Sequence, residues 1–310
     1  MEEDLVVVPD GSSRLGLVGL GIMGKPMARN LLKAGYRLIV YDVRQDAVDE
    51  VVKDGATAGG SPAEVAAQSD VLITMLPDSP DVEVVYKGPG GAFEAARPGW
   101  LAIDMSSIAP RVSRELAAEA RRAGAELLDA PVSGGDKGAI AGTLSIMVGG
   151  SEVAFRRARP ILGAMGKTIV YCGAAGAGQV VKLANQIVVA VVIEAVAEAL
   201  VLGSKAGVAP ERIVEVLQGG LAATRVLEMR QENMLQGQFE PGFRIRLHLK
   251  DLKNALDLAR EVGVALPATA EVGQLFQAAS IAGREDYDHS GLITVIEDLA
   301  HFKVSALGGR

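Results

Sequence analysis

Three polar side chains stand close together near the start of a mostly apolar stretch in the second half of this 310-residue chain, "GAGQVVKLANQIVVAVVIEAVAEAL" at residues 176–200. Lys182, Asn185 and Gln186 stand at i, i+3 and i+4, one polar stripe on a helix that starts near Gly178. Glu194 and Glu198 project from a different side. A lysine between apolar walls, near a helix N-terminus and a cationic ring, has its pKa pushed down. It can then exchange protons with a substrate oxygen at neutral pH. The plain alternative is a solvated lysine at a helix start, and the two amides at matching spacing weaken it.

A hydride chemistry for that lysine is suggested by "GLGIMG" at residues 19–24, a G-x-G-x-x-G between a strand and a helix. Gly19 allows the tight turn, Gly21 lets a pyrophosphate approach the backbone, and Gly24 lets the helix pack close to the strand. Leu20, Ile22 and Met23 complete the turn, and the helix N-terminus offers N–H groups to phosphate. Asp42 closes the next strand about 20 residues on, where an acid accepts hydrogen bonds from ribose hydroxyls. Its plain alternative is a turn acid with no ligand. Its carboxylate would repel a 2′-phosphate, while Arg44 nearby can offset that repulsion. NADH is therefore the expected cofactor, with some use of NADP(H). A second loop, Ser133, Gly134 and Gly135 in "DAPVSGGDKGAIAGTLSIMVGG", can expose backbone N–H groups and a rotatable hydroxyl to a small anion. A glycine-rich hairpin with no ligand explains the same spacing equally well.

The elements that would position these groups change character along the chain. Strand patterns at 14–19, 36–42, 70–77, 100–107, 125–133 and 143–150 alternate with helical ones such as 24–35 and 111–124. Such alternation means a doubly wound α/β sheet, mostly parallel. After about residue 175 the strand patterns stop and long helical ones follow. The expected organisation is an N-terminal extension over 1–13, a dinucleotide-binding domain over 14–175 and an all-helical domain over 176–310.

Composition narrows the classes of function. A net charge of −7 and a pI near 5.2 argue against a nucleic-acid surface and a basic membrane-binding face. One cysteine, Cys172, rules out an internal disulfide and suits a reducing compartment. That residue and the three histidines, His248, His289 and His301, show no metal-ligand spacing, so no metal is expected. The N-terminus is acidic where a signal peptide is basic. The apolar run at 187–193 is far short of the roughly 20 residues of a membrane span. A cytoplasmic protein with no membrane partner is expected.

Four motifs in order, "GLGIMGKPMARNLLKAGY", "DAPVSGGDKGAIAGTLSIMVGG", "GAGQVVKLANQ" and "HLKDLKNALDLA", make the chain resemble the β-hydroxyacid dehydrogenase family over residues 14–300. The resemblance implies a Rossmann domain joined to an all-helical C-terminal domain through a long central helix, with the active site in the cleft. It makes Lys182 the catalytic lysine, Ser133, Gly134 and Gly135 the substrate loop, and Asn185 the substrate-site amide. Many relatives carry a second asparagine where this chain has Gln186, so that residue's place in the substrate site is open. Met75, Leu76 and Pro77, with Ser107 and Lys250, match cofactor-contacting positions. From the residues alone Lys250 reads as an exposed helix lysine.

"GIMGKPM", "ITMLPDSP", "IDMSSIAP" and "PGFRIRLHLKDLKNALD" look most like the branch that reduces tartronate semialdehyde. The implied reaction is NAD(P)H-dependent, reversible reduction of that small carboxylate-bearing aldehyde to D-glycerate. The same motifs serve dehydrogenases of 3-hydroxyisobutyrate and 4-hydroxybutyrate. A non-catalytic dinucleotide-binding protein could have lost the lysine, and imine-reducing relatives usually replace it; this chain keeps it. Excess apolar helix surface and the family's habit imply a homodimer or homotetramer.

Overall fold

The computed structural model describes residues 13–305. The extension expected at 1–13 lies, apart from Ser13, outside the described residues. The chain forms two compact units, the first ending at Lys182 and the second beginning at Leu183.

Among the described residues of the first unit, nine strands form one sheet. They are β1 (Arg14–Val18), β2 (Arg37–Tyr41), β3 (Thr57–Ala58), β4 (Val71–Thr74), β5 (Leu101–Asp104), β6 (Glu126–Asp129), β7 (Val132–Ser133), β8 (Leu144–Gly149) and β9 (Gly166–Gly173). The first six are parallel in the order β3-β2-β1-β4-β5-β6, the doubly wound order of dinucleotide-binding domains. β8 runs antiparallel to β6 and β7 and parallel to β9, so the sheet is mixed.

Helices cover both faces, which is why β4 and β5 are buried along their whole length. On one side α1 (Gly24–Lys33) and α2 (Gln45–Lys53) pack Met27, Leu31, Val48 and Val51 against Leu15, Leu17 and Val40. On the other, α3 (Pro62–Gln68), α4 (Ser79–Lys87) and α5 (Pro110–Arg122) pack Val65, Tyr86 and Leu116 around Leu72 and Trp100. The α3 contact is close: a Cβ on Gly16 would lie 2.6 Å from Val65 Cγ1. Side-chain caps start these helices where the sequence supplies them. Ser61 accepts the N–H of Glu64, and Asp78 forms a capping box with Asp81.

Two local expectations change. The strand read at 125–133 is interrupted at Ala130 and Pro131, giving β6 and the short β7. The glycine loop after it is no hairpin, because α6 (Gly135–Ala141) stands between β7 and β8. α7 (Glu152–Gly163) and the partly exposed β9 complete the unit.

α8 (Ala177–Lys205) is one continuous helix of 29 residues, longer than the apolar run within it suggests. Past Leu183 it packs Ala190, Ile193, Ala197 and Leu200 into the core of the second unit. That unit also holds α9 (Pro210–Gly219), α10 (Arg225–Gln236), α11 (Ile245–Val262), α12 (Pro267–Ala279) and α13 (Ile293–Ala300), around Leu252, Phe276 and Leu292. α10 and α11 end on left-handed Gly237 and Gly263, the conformation that releases a helix into a turn.

Candidate active site

The glycine turn follows β1 and leads into α1. Gly19 has φ 97°, and a Cβ there would lie 2.3 Å from the carbonyl of Met75. A Cβ on Gly24 would lie 1.9 Å from the carbonyl of Gly19, so this glycine lets α1 close against the strand end. A Cβ on Gly21 would meet nothing within 4 Å. The turn thus leaves open space beside its middle glycine, where a pyrophosphate needs close backbone approach. Leu20 is buried and Met23 half-buried, while Ile22 is exposed.

Asp42 lies just past β2 and holds this turn. Its carboxylate accepts the N–H of Leu20 at 2.6 Å and that of Arg44 at 2.8 Å. A carboxylate offers about four lone pairs, so capacity remains for ribose hydroxyls. Arg44 folds back: Nε lies 3.4 Å from Asp42 and Nη2 donates to the carbonyl of Leu20.

The loops after β4 and β5 are tied by a buried acid that sequence reasoning assigned no role. Asp104 Oδ1 accepts from Thr74 Oγ1 at 2.7 Å and from Ser106 Oγ at 2.6 Å. The Ser106 hydroxyl oxygen in turn accepts the N–H of Leu76 at 2.9 Å. This fixes Met75, Leu76 and Pro77 beside the glycine turn, whose Gly19 touches Met75. Ser107, half-buried, follows Ser106 on the loop after β5.

A second buried acid, Asp129 at the end of β6, pins the start of α8. It accepts the N–H of Gly176 at 2.7 Å and that of Gln179 at 3.0 Å. The helix approaches so closely that a Cβ on Gly178 would lie 2.4 Å from the carbonyl of Met147. Burial raises the Asp129 carboxyl pKa from its ordinary value, against the pull of those backbone donors. Gln179 then clamps the loop after β5, donating to the carbonyl of Ser106 at 2.8 Å and accepting the N–H of Ile108 at 3.1 Å. Within one unit, the start of the lysine-bearing helix is therefore bonded to a strand end and to the loop after β5.

Lys182 lies on the second turn of α8 and is 4% exposed, so it is no solvated surface lysine. Ser133 ends β7, and Gly134 and Gly135 turn into α6 with φ of 133° and 61°. Such values suit glycine and exclude most side chains.

Asn185 and Gln186 follow Lys182 on α8, and their amides join a pair on α11. Asn185 Nδ2 donates to Gln186 Oε1 at 3.0 Å, and Gln186 Nε2 donates to Asp251 Oδ2 at 2.7 Å. Asp251 Oδ1 lies 3.3 Å from Lys250 Nζ. The side chain of Lys250 is only 14% exposed, which corrects its reading as an exposed helix lysine. Sequence reasoning missed Asp104, Asp129, Gln179 and Asp251. The readable signal for the first two was an acid closing an apolar strand, in "LAID" and "ELLD".

No cluster of three or more His, Cys, Asp or Glu side chains able to hold a metal occurs among the described residues.

Comparison with known proteins agrees with this architecture. Residues 14–173 match the family described as the NAD binding domain of 6-phosphogluconate dehydrogenase. Residues 176–296 match that described as NAD-binding of NADP-dependent 3-hydroxyisobutyrate dehydrogenase. The chain is 44% identical to the 2-hydroxy-3-oxopropionate reductase of Escherichia coli K12, over 94% of this chain and 100% of that protein. It is 41% identical to the 2-(hydroxymethyl)glutarate dehydrogenase of Eubacterium barkeri, over 96% and 99%. The structure of 3-hydroxyisobutyrate dehydrogenase of Mycobacterium tuberculosis with L-serine superposes with a TM-score of 0.84 at 37% identity, covering 92% of this chain and 99% of that one. On sequence, fold and domain matches together, the chain belongs to the family of NAD(P)-dependent β-hydroxyacid dehydrogenases, oxidoreductases acting on CH–OH groups.

Proposed function

We propose that the chain reduces a short aldehyde bearing a carboxylate, tartronate semialdehyde, to D-glycerate, with Lys182 as the proton donor and NADH preferred over NADPH. The observation that carries this reading is a buried lysine on the second turn of α8, a helix whose start Asp129 and Gln179 bond to the dinucleotide-type domain. The 44% identity to a 2-hydroxy-3-oxopropionate reductase supports the choice of substrate. L-serine, named with the M. tuberculosis structure, is likewise a three-carbon β-hydroxy carboxylate.

Reduced nicotinamide, when bound, supplies the hydride that adds to the aldehyde carbon. The chain's own residues do the rest. The Lys182 ammonium gives its proton to the carbonyl oxygen as C=O becomes CH–OH, leaving a neutral amine; in the oxidative direction that amine takes the hydroxyl proton. Backbone N–H groups of Ser133, Gly134 and Gly135 hold the substrate carboxylate. Asn185, on the lysine's own helix face, orients the lysine or the substrate hydroxyl. Asp42 favours NADH, because a 2′-phosphate would stand against a carboxylate already held in place by two backbone donors.

General acid catalysis contributes about 10²–10⁴-fold, and an ammonium beside a developing oxyanion adds to that. Lys182→Ala should lose turnover by about that factor while NADH binding, measured by fluorescence titration, stays near wild type. Near-normal turnover would remove Lys182 from the mechanism. Rates on tartronate, methylmalonate and succinate semialdehydes, each with NADH and NADPH, test substrate and cofactor together. Preference for another aldehyde, or equal use of NADPH, would overturn the corresponding half of the proposal.

A further inference from the structure

The chemistry assigned to Lys182 uses neither His248 nor His289, yet both are buried, at 0% and 6% exposure. Both lie in the second unit, His248 on α11 and His289 in the 3-10 turn His289–Leu292 before α13. Their ring nitrogens fall in a line. Arg230 Nε lies 3.2 Å from His289 Nε2, the two Nδ1 atoms are 3.1 Å apart, and His248 Nε2 lies 3.0 Å from the backbone carbonyl of Gln186. Phe243 meets both rings edge-on, and Phe276 packs against His248.

Each end of this line has a fixed polarity. A guanidinium only donates, so His289 Nε2 must offer its lone pair. A carbonyl only accepts, so His248 Nε2 must carry a hydrogen. One hydrogen remains for the contact between the two Nδ1 atoms. On His248 it would make that ring a cation and leave His289 with no ring hydrogen, an anion. It therefore belongs to His289, and both rings are neutral.

We infer that His248 and His289 are a neutral pair locked in opposite tautomers, forming a one-way hydrogen-bond chain from Arg230 through His289 and His248 to the Gln186 carbonyl, and that this chain positions Asn185 and Gln186 on α8. Arg230 is held at the far end: its Nη1 lies 3.6 Å from buried Asp288, which accepts from the backbone N–H groups of Gly242 and Phe243 and from Ser290. At the near end His248 grips the Gln186 backbone while Asp251 grips its side chain. Two grips on one residue fix the rotation of this part of α8 about its own axis. That rotation sets the direction of Asn185, which donates to Gln186. The histidines are positioning residues, and the catalytic part of the inference rests on the role proposed for Asn185.

The test uses the full chain with ¹⁵N-labelled histidine rings and long-range ¹H–¹⁵N correlation near neutral pH. The sequence has three histidines, so His248→Phe and His289→Phe assign the signals directly. The expected spectrum shows His289 protonated on Nδ1, His248 on Nε2, and neither charged. An imidazolium or a reversed tautomer at either ring overturns the inference, and this readout needs no substrate or cofactor. Arg230→Met leaves both rings and the Gln186 carbonyl in place, so His248 should stay protonated on Nε2 and His289 on Nδ1; a reversed tautomer at either ring in this variant would overturn the inference. With whichever aldehyde the wild type reduces, His248→Phe should lower kcat about tenfold to a hundredfold, the cost of misplacing a reacting group, with NADH affinity unchanged. His289→Asn keeps a donor towards His248 and should lose less than His289→Phe. Wild-type kcat in a folded His248→Phe and in Arg230→Met would overturn the positioning role even if the tautomers are as stated. Failure of the Lys182→Ala expectation, by contrast, would leave the tautomer result untouched.

Discussion

Asp104 shows how one buried carboxyl can serve a site without touching a ligand. Burial pushes its pKa up to about 6, against the pull of donors from Ser106 and Thr74. An acid whose pKa is higher in the folded than in the unfolded chain binds its proton more tightly when native. The stability this contributes is fully present below the unfolded pKa, about 4, and is lost as pH rises through about 6. From this residue, stability should fall by up to about 3 kcal/mol between roughly pH 4 and pH 7. Asp104→Asn does not titrate at this position, so urea denaturation across that range should show a smaller fall in the variant than in wild type. Parallel profiles would mean that Asp104 is not the titrating group. The sequence names this residue as the last of an apolar strand. Ser106 is two residues on and supplies two donors to Oδ1, but the sequence cannot say that Thr74 would supply the third, because Thr74 arrives through the pairing of β4 with β5.

Among elements, the turn from β1 to α1 separates two uses of glycine that look identical in "GLGIMG". Gly24→Ala drives a Cβ into the carbonyl of Gly19 and should cost about 1–3 kcal/mol of stability. Gly21→Ala meets no protein atom, so thermal unfolding should stay within about 0.5 kcal/mol of wild type. Yet the added methyl occupies the space a pyrophosphate would use, and NADH binding should weaken about tenfold or more, roughly 1.4 kcal/mol. Equal NADH affinity in Gly21→Ala would place the dinucleotide elsewhere. α8 shows the same division between pattern and placement. Its stripe of Lys182, Asn185 and Gln186 follows from helical periodicity alone. Its pinned start does not, because Asp129 lies 47 residues before Gly176 in the chain.

For the whole molecule, α8 is also the point where run length misleads. Among the described residues it is long and apolar enough to cross a bilayer, although its longest uninterrupted apolar run is short. Lys182, Glu194 and Glu198 argue against that role, since charges in a membrane are costly. Burial, then Glu198 and Glu271, pushes the Glu194 carboxyl up to about 7. Val180, Val181, Val188 and Leu202 on this helix remain exposed in the single chain. A row of exposed aliphatics on a core helix suits an interface between copies of the chain. Light scattering should give two or four times the 32.2 kDa of one chain. A monomer at micromolar concentration would mean that those residues face water.

The sequence by itself determined the fold class, the glycine turn with its acid, and the lysine with its two amides. These are written in short-range patterns: period two in strands, period 3.6 in helices, and glycine where the backbone must approach another atom. Only the tertiary structure decided what holds them. Asp104, Asp129 and Gln179 tie loop, strand end and helix start together, and Arg230, His289 and His248 converge on Gln186. Those partners lie tens of residues apart, and no local pattern marks a buried polar group's partner. Burial makes an unpaired polar atom costly, so the fold must bring each one a counterpart, and which counterpart arrives depends on packing in three dimensions.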